Sequence, residues 1–201
     1  MLEAFTVVVV FVVGCVFAWQ GLFAACTMFV NFLLAGLICF NIWEPIADAL
    51  ELFFRGSIIQ GYEDFLSLIF SFWIFLSVFR ILTNYLAPQQ IDFDPLLQHV
   101  GGGVMGLLLG YLASGLLVCA MQTLPWDERF LGFDPSYSKE DVVRRYIPAD
   151  RVWLAMMHRA SAGPFASGDG TFDADGSFTI RYARDRRFRS RGTQSSGGER
   201  P

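Results

Sequence analysis

Charge is nearly absent from the first two-thirds of this chain, and the few polar positions there mark where apolar runs begin and end. Between Glu3 and Glu44 lie forty uncharged residues. One helix of that length would extend about 60 Å, twice the hydrocarbon thickness of a bilayer, so the run has to turn back on itself. Trp19-Gln20-Gly21 is the place for the turn: an aromatic suited to the headgroup region, an amide and a helix-weakening glycine coincide there. Two spans are therefore predicted, over residues 4–19 and 22–43. The first is short, which leaves a re-entrant hairpin as the alternative. Phe23-Ala24-Ala25-Cys26 faintly resembles a lipoprotein processing site, but the preceding segment carries Glu3 and none of the Lys or Arg of a signal peptide.

Pro45 is expected to end the second span, because proline cannot extend the helical hydrogen-bond ladder. After it, Ile46, Ala49, Leu50, Phe53 and Phe54 share one face, with Asp48, Glu51 and Arg55 off it. That pattern predicts a short helix lying in the headgroup plane, or else the frayed end of the span. Glu63-Asp64 open a third span over residues 65–86, acidic side chains being favourable at a helix start. Arg80 lies near its far end, placed to reach the interface. Pro88, Asp92, Asp94 and Pro95 form a connector. A fourth span follows over residues 100–124, uncharged from Val100 to Trp126. Gly102, Gly106, Gly110 and Ser114 recur every four residues along it, on one side of a helix. Residues this small let a second backbone approach closely, which is what holds helices together in lipid.

Composition changes the picture only by dividing the chain. It is 54% hydrophobic and 17% charged, against roughly 25% charged in soluble domains. Thirteen of the fifteen Lys and Arg residues follow Asp127. The expected fold is thus an all-α integral membrane part with four transmembrane helices over residues 1–126, followed by a small mixed α/β tail, partly disordered. Within residues 127–183, Ser138-Lys139-Glu140-Asp141 resembles a capping box opening a helix toward Tyr146. Asp150 would cap a second helix through His158, and Ser177–Tyr182 alternates as a strand does after the turn residues Asp175-Gly176. Residues 184–201 are too basic and too rich in Gly and Ser to bury a core. Arg129, Lys139, Arg144, Arg145 and Arg55 outnumber the lone Arg80 on the other side, so the tail is expected to be cytoplasmic.

Candidate chemistry is sparse. No serine-hydrolase elbow, phosphate-binding loop, dinucleotide glycine pattern or zinc-protease helix is present. Leu112-Ala113-Ser114-Gly115 is similar to the nucleophile motif of intramembrane rhomboid proteases. His99, however, is fifteen residues away on the same helix, about 22 Å by rise, too far to act as base. Thr171–Gly176 lacks the first Asp and last Glu of a calcium loop and reads as a turn. Cys15, Cys26, Cys39 and Cys119 all lie in apolar runs and read as packing residues. No cofactor, metal or catalytic residue is expected. Asn31, Asn41, Ser67, Ser71 and Arg80 are candidates for interhelical hydrogen bonding or for lining a solute path. Arg181, Arg184, Arg186, Arg187, Arg189 and Arg191 could hold the tail to anionic lipid headgroups or recruit a partner, or stay solvated without one. Nucleic acid is not expected, since no base-stacking module accompanies the charge.

Trp19-Gln20-Gly21, Pro45 with its amphipathic continuation, and the stretch from Asp94 to Gly115 with Gly103, Gly106 and Gly110 together resemble the colicin V production protein family. The resemblance covers Ala4 to Trp126. It differs in having Gln20 where the family usually has a basic residue, and in an uncharged last span. It implies a non-enzymatic multi-pass protein of the bacterial inner membrane, concerned with production or export of a toxin-like peptide or with envelope homeostasis. The family supplies no established catalytic residues. On that view the bilayer, further copies of the chain and other membrane proteins are the expected partners, with the small-residue stripe as the working surface. A small channel or transporter, and a membrane-tethered scaffold acting through the basic tail, are the alternatives.

Overall fold

The computed structural model describes residues 2–54, 62–87, 93–124 and 148–162. Among them the chain is entirely helical: α1 (Leu2–Gln20), α2 (Leu22–Phe54), α3 (Glu63–Leu86), α4 (Pro95–Gln122) and α5 (Ala149–Ala162). Three helices contain stretches long and apolar enough to cross a membrane, Leu22–Trp43, Glu63–Leu86 and Pro95–Gln122, and Ala4–Gln20 is a shorter apolar helix. The helix expected from Ser138 to Tyr146, the strand at Ser177–Tyr182, Arg55, the connector residues Pro88 and Asp92, and the basic tail from Arg181 through residue 201 lie outside the described residues.

The turn at Gly21 falls where the polar pattern placed it. Gly21 has φ +93°, a left-handed conformation that costs an L side chain about 1–2 kcal/mol. Its N–H donates to the Phe17 carbonyl at 2.9 Å, closing α1, and its own carbonyl accepts from Ala25 N–H at 3.1 Å, opening α2. Although consecutive, α1 and α2 touch little. α1 lies along α4 instead, α4 along α2, and α2 along α3, with α5 seated on both α4 and α2.

Three directions follow from paired residues. α1 runs antiparallel to α4, since Gly102, Gly106 and Gly110 meet Phe17, Gly14 and Val10 in turn. α2 runs parallel to α4, with Gly101 against Leu22 and both Gly36 and Gly115 against Trp153. α3 runs antiparallel to α2, joined at Asn31–Thr83 and Cys39–Leu68. The core lies between α2, α4 and α5, where Trp153, Leu116 and Cys119 are fully enclosed, and it extends to α3 through Cys39 and Leu68.

Two local expectations are corrected. Pro45 does not end α2 but sits inside it. The separate interfacial helix expected over Ile46–Phe54 is the continuation of α2, about two and a half turns long. Proline deletes one ladder bond, the donor to Asn41, and that loss is bearable where packing holds the flanking turns. Trp43 and Ala47, on either side, are both buried. Asp150, in turn, does not precede its helix as a cap. It lies in the first turn of α5, buried, where its carboxylate accepts from Gln122 Nε2 of α4 at 3.3 Å.

Candidate functional site

The small-residue stripe of α4 is a backbone contact within the chain. A methyl group built on Gly102 would stand 2.5 Å from the Phe17 carbonyl oxygen and 2.9 Å from the Gly21 carbonyl carbon. On Gly106 it would stand 3.1 Å from both Gly14 Cα and Val13 O, and on Gly110 2.8 Å from Val10 Cα. Glycine is required at these positions because α1 backbone occupies the space a side chain would take. Gly14 answers on the α1 side, its missing side chain making room for Leu107. Ser114, fully buried, donates to the Tyr111 carbonyl at 2.7 Å. His99 is exposed at the opposite end of α4, its Nδ1 2.7 Å from Pro95 O, so the serine has no base from it. The face proposed for contact with further copies is therefore already covered by α1 over Gly102, Gly106 and Gly110.

A second glycine pair, absent from the sequence expectations, seats α5. Gly36 and Gly115 each leave room for Trp153: a methyl on Gly36 would meet the indole ring at 2.5 Å, and one on Gly115 would meet Trp153 Cβ at 3.1 Å. The indole packs edge-on to Phe32 (centroids 5.5 Å apart, 71°) and Phe40 (5.9 Å, 67°). Its Nε1 has no hydrogen-bond partner among the described residues, so shape rather than polarity holds it. The two glycines are seventy-nine positions apart, and only the parallel pairing of α2 with α4 reveals them as one seat.

The polar residues of the spans separate into two groups. Asn31 and Arg80 line one cavity of about 330 Å³ with Gln20, Thr27, Thr83 and Asn84. It lies between the α1–α2 turn and the last turns of α3. Asn31 is 6% exposed and its Oδ1 accepts from Thr83 Oγ1 at 3.0 Å. Thr27 Oγ1 is turned back on the carbonyls of Phe23 and Ala24, 3.0 Å from each. Asn41, Ser67 and Ser71 are elsewhere. Asn41 Nδ2 donates to Leu37 O at 3.1 Å, Ser67 Oγ to Asp64 O at 2.9 Å, and Ser71 Oγ to Ser67 O, each within its own helix. The α2–α3 bond that sequence reasoning missed is a thiol, Cys39 Sγ to Leu68 O at 3.2 Å.

Among the described residues no group of His, Cys, Asp and Glu is disposed to hold a metal ion. All four cysteines are free, with Cys39 and Cys119 buried, Cys26 half-buried and Cys15 exposed. Gln20, Thr27, Thr83 and Asn84 completed the cavity without a motif to flag them. The signal was faint: two polar residues a turn apart in each of two spans, Thr27 and Asn31 in one, Arg80 and Asn84 in the other.

The described residues define a class, an arrangement of helices of which three are long and apolar enough to cross a membrane. Set against protein-family models, curated proteins and solved structures, the chain matches none of them.

Proposed function

We propose that this chain is a non-enzymatic multi-pass protein of the bacterial inner membrane, of the colicin V production kind, with α1 as a fourth span and the tail in the cytoplasm. The observation that carries this reading is the close seating of α1 along α4. Between lipid-embedded helices apolar attraction gains nothing, and backbone proximity over small residues is the association that works there. The outward faces agree with lipid as solvent: Phe11, Phe70, Trp73 and Ile81 are all more than 60% exposed, more apolar surface than water tolerates on a monomer. Its role would be to assemble with other membrane components in exporting a toxin-like peptide or maintaining the envelope. With the glycine stripe of α4 filled by α1, contact with a partner falls to these outward faces or to the basic tail. A continuous solute path is the weaker reading, because Asn41 and Ser67 bond within their own helices and do not line the cavity that holds Asn31 and Arg80.

Reporter fusions after residue 201 test the arrangement. Green fluorescent protein should fluoresce there and alkaline phosphatase should be inactive; the reverse pair of results removes the cytoplasmic tail. Deleting the gene should reduce peptide export or sensitise the envelope to detergent, and a strain unchanged in both removes the role.

A further inference from the structure

The cavity beside Arg80 collects hydrogen-bond donors and a positive charge, with no carboxylate among the described residues that line it. Six polar side chains among the described residues line it. Among the described residues Arg80 has no ion-pair partner, although α3 begins with two acidic residues at its other end. Asn31 is more than nine-tenths buried, and its Oδ1 is occupied by Thr83, so its Nδ2 is the atom left to donate. That Nδ2 has no protein partner among the described residues. Phe23 and Ala24 bring the first turn of α2 to the same cavity. A helix start carries N–H groups without intrahelical acceptors and the positive end of the peptide dipoles. Asn31 is buried and Arg80 exposed, which puts the amide at the floor and the guanidinium at the mouth.

We propose that this cavity binds a phosphate-type oxyanion. Such a group offers acceptors in several directions at once, matching a guanidinium fork above, an amide donor below and backbone N–H groups at the side. The volume admits one phosphate with part of whatever carries it. Arg80 is six residues from the end of α3, about 9 Å by rise, close enough for its long side chain to reach toward the headgroup region if α3 spans a bilayer. Two sources share this chemistry, a phospholipid headgroup and a free phosphate. The proposal does not depend on the export role above, only on the donors in the cavity.

The experiment uses the full-length protein in dodecyl maltoside, a sugar detergent that contains no phosphate. Phosphatidylglycerol is titrated in one arm and counted per chain by native mass spectrometry. Inorganic phosphate is titrated in the other by calorimetry. One saturable site is expected. Arg80→Gln should weaken it by about tenfold or more, the scale of losing one charge-assisted bond. Asn31→Asp keeps an acceptor for Thr83 but sets a carboxylate on the cavity floor, and should abolish binding while the helical circular dichroism and melting temperature persist. Arg159→Gln, on the exposed side of α5, should leave binding unchanged. Saturation in the lipid arm alone identifies the headgroup as ligand, and saturation in the phosphate arm identifies the free anion. No saturable binding in either arm, or equal binding by wild type, Arg80→Gln and Asn31→Asp, overturns the proposal. So does an Arg159→Gln variant as weakened as Arg80→Gln, since that would be unspecific charge attraction.

Discussion

Along α4, glycines lie directly beneath the backbone of α1; α3 contains no glycine at all, and α2 meets it through side chains. The first pair of helices is held at a distance that a single methyl group would change. The second is spaced by Phe32 and Phe72, edge-on at 5.0 Å, and by the Cys39 and Asn31 hydrogen bonds. The contrast separates two ways of associating helices when the surroundings are as apolar as the side chains. Close backbone contact gains dispersion over a long seam and tolerates no added volume. Side-chain spacing tolerates substitution, and it leaves room at the ends. The polar cavity beside Arg80 opens at the end of this second pair.

The largest effect should come from breaking the union of the two pairs. α5 lies on α4 of the first and α2 of the second, with Trp153 between Gly36 and Gly115. Trp153→Ala empties that seat and should cost about 3 kcal/mol, measured by unfolding in mixed dodecyl maltoside and sodium dodecyl sulfate micelles. Limited trypsin digestion should then cut α5 at Arg151 or Arg159. If α5 stays protected and stability changes by less than about 1 kcal/mol, the two pairs are joined by α2 and α4 alone.

Next in size is a test of the backbone seam by adjacent glycines. Gly102→Ala pushes a methyl to 2.5 Å from Phe17 O, whereas a methyl on Gly103 has only Ala18 Cβ near it, at 3.5 Å. The first should destabilise by about 2 kcal/mol, as overpacking does. The second should be neutral or stabilising by up to about 1 kcal/mol, from helix propensity. Equal effects in the same micelle titration would mean that α1 does not lie where the contrast requires it.

Much of the α1–α4 side was legible in residue order, and less of the rest. Trp19-Gln20-Gly21 announced a turn because glycine and an interfacial aromatic act locally. The stripe at Gly102, Gly106 and Gly110 announced close packing, but a spacing carries no information about which helix fills it. Pro45 misled because its local cost is real while the compensation, burial of Trp43 and Ala47, is tertiary. Gly36, Gly115 and Trp153 could not be grouped, since each is unremarkable until α2 and α4 are laid parallel. Asn31 and Arg80 were each visible as polar residues in apolar runs. Their shared cavity depends on the antiparallel register of α2 and α3, which sequence does not state.

A third test concerns the turn that lets α1 leave α2 for α4. Gly21→Ala forces a methyl into the left-handed region at φ +93° and to 2.8 Å from Gln98 Nε2. A loss of about 1–2 kcal/mol is expected from the conformation alone, read by the same titration. Because Gln98 is a flexible side chain that can move aside, the steric part should be small. Gly21→Asn, which tolerates this conformation better, should recover part of the loss. Failure to recover would assign the cost to crowding against α4 instead of to the turn.

The smallest effects probe the looser seam, and they should differ in a specific order. Thr83→Val keeps the shape of the side chain but removes the donor to Asn31 Oδ1, the one side-chain hydrogen bond between α2 and α3 in which both partners are polar residues of the cavity. Bonds of this kind within membranes average about 0.6 kcal/mol. Ser67→Ala removes a hydroxyl on a residue more deeply buried than the half-buried Thr83, but bonded to Asp64 O of its own helix. The hydrogen bond lost is not one to α2, and alanine is the better helix former, so the change should stay below about 0.5 kcal/mol. The order matters more than either size, because both residues are hydroxyl-bearing, sit on α3 and face inward. Were Ser67→Ala the more damaging of the two, the α2–α3 seam would depend on polarity at its buried middle, and the difference drawn between the two helix pairs would fail at that point.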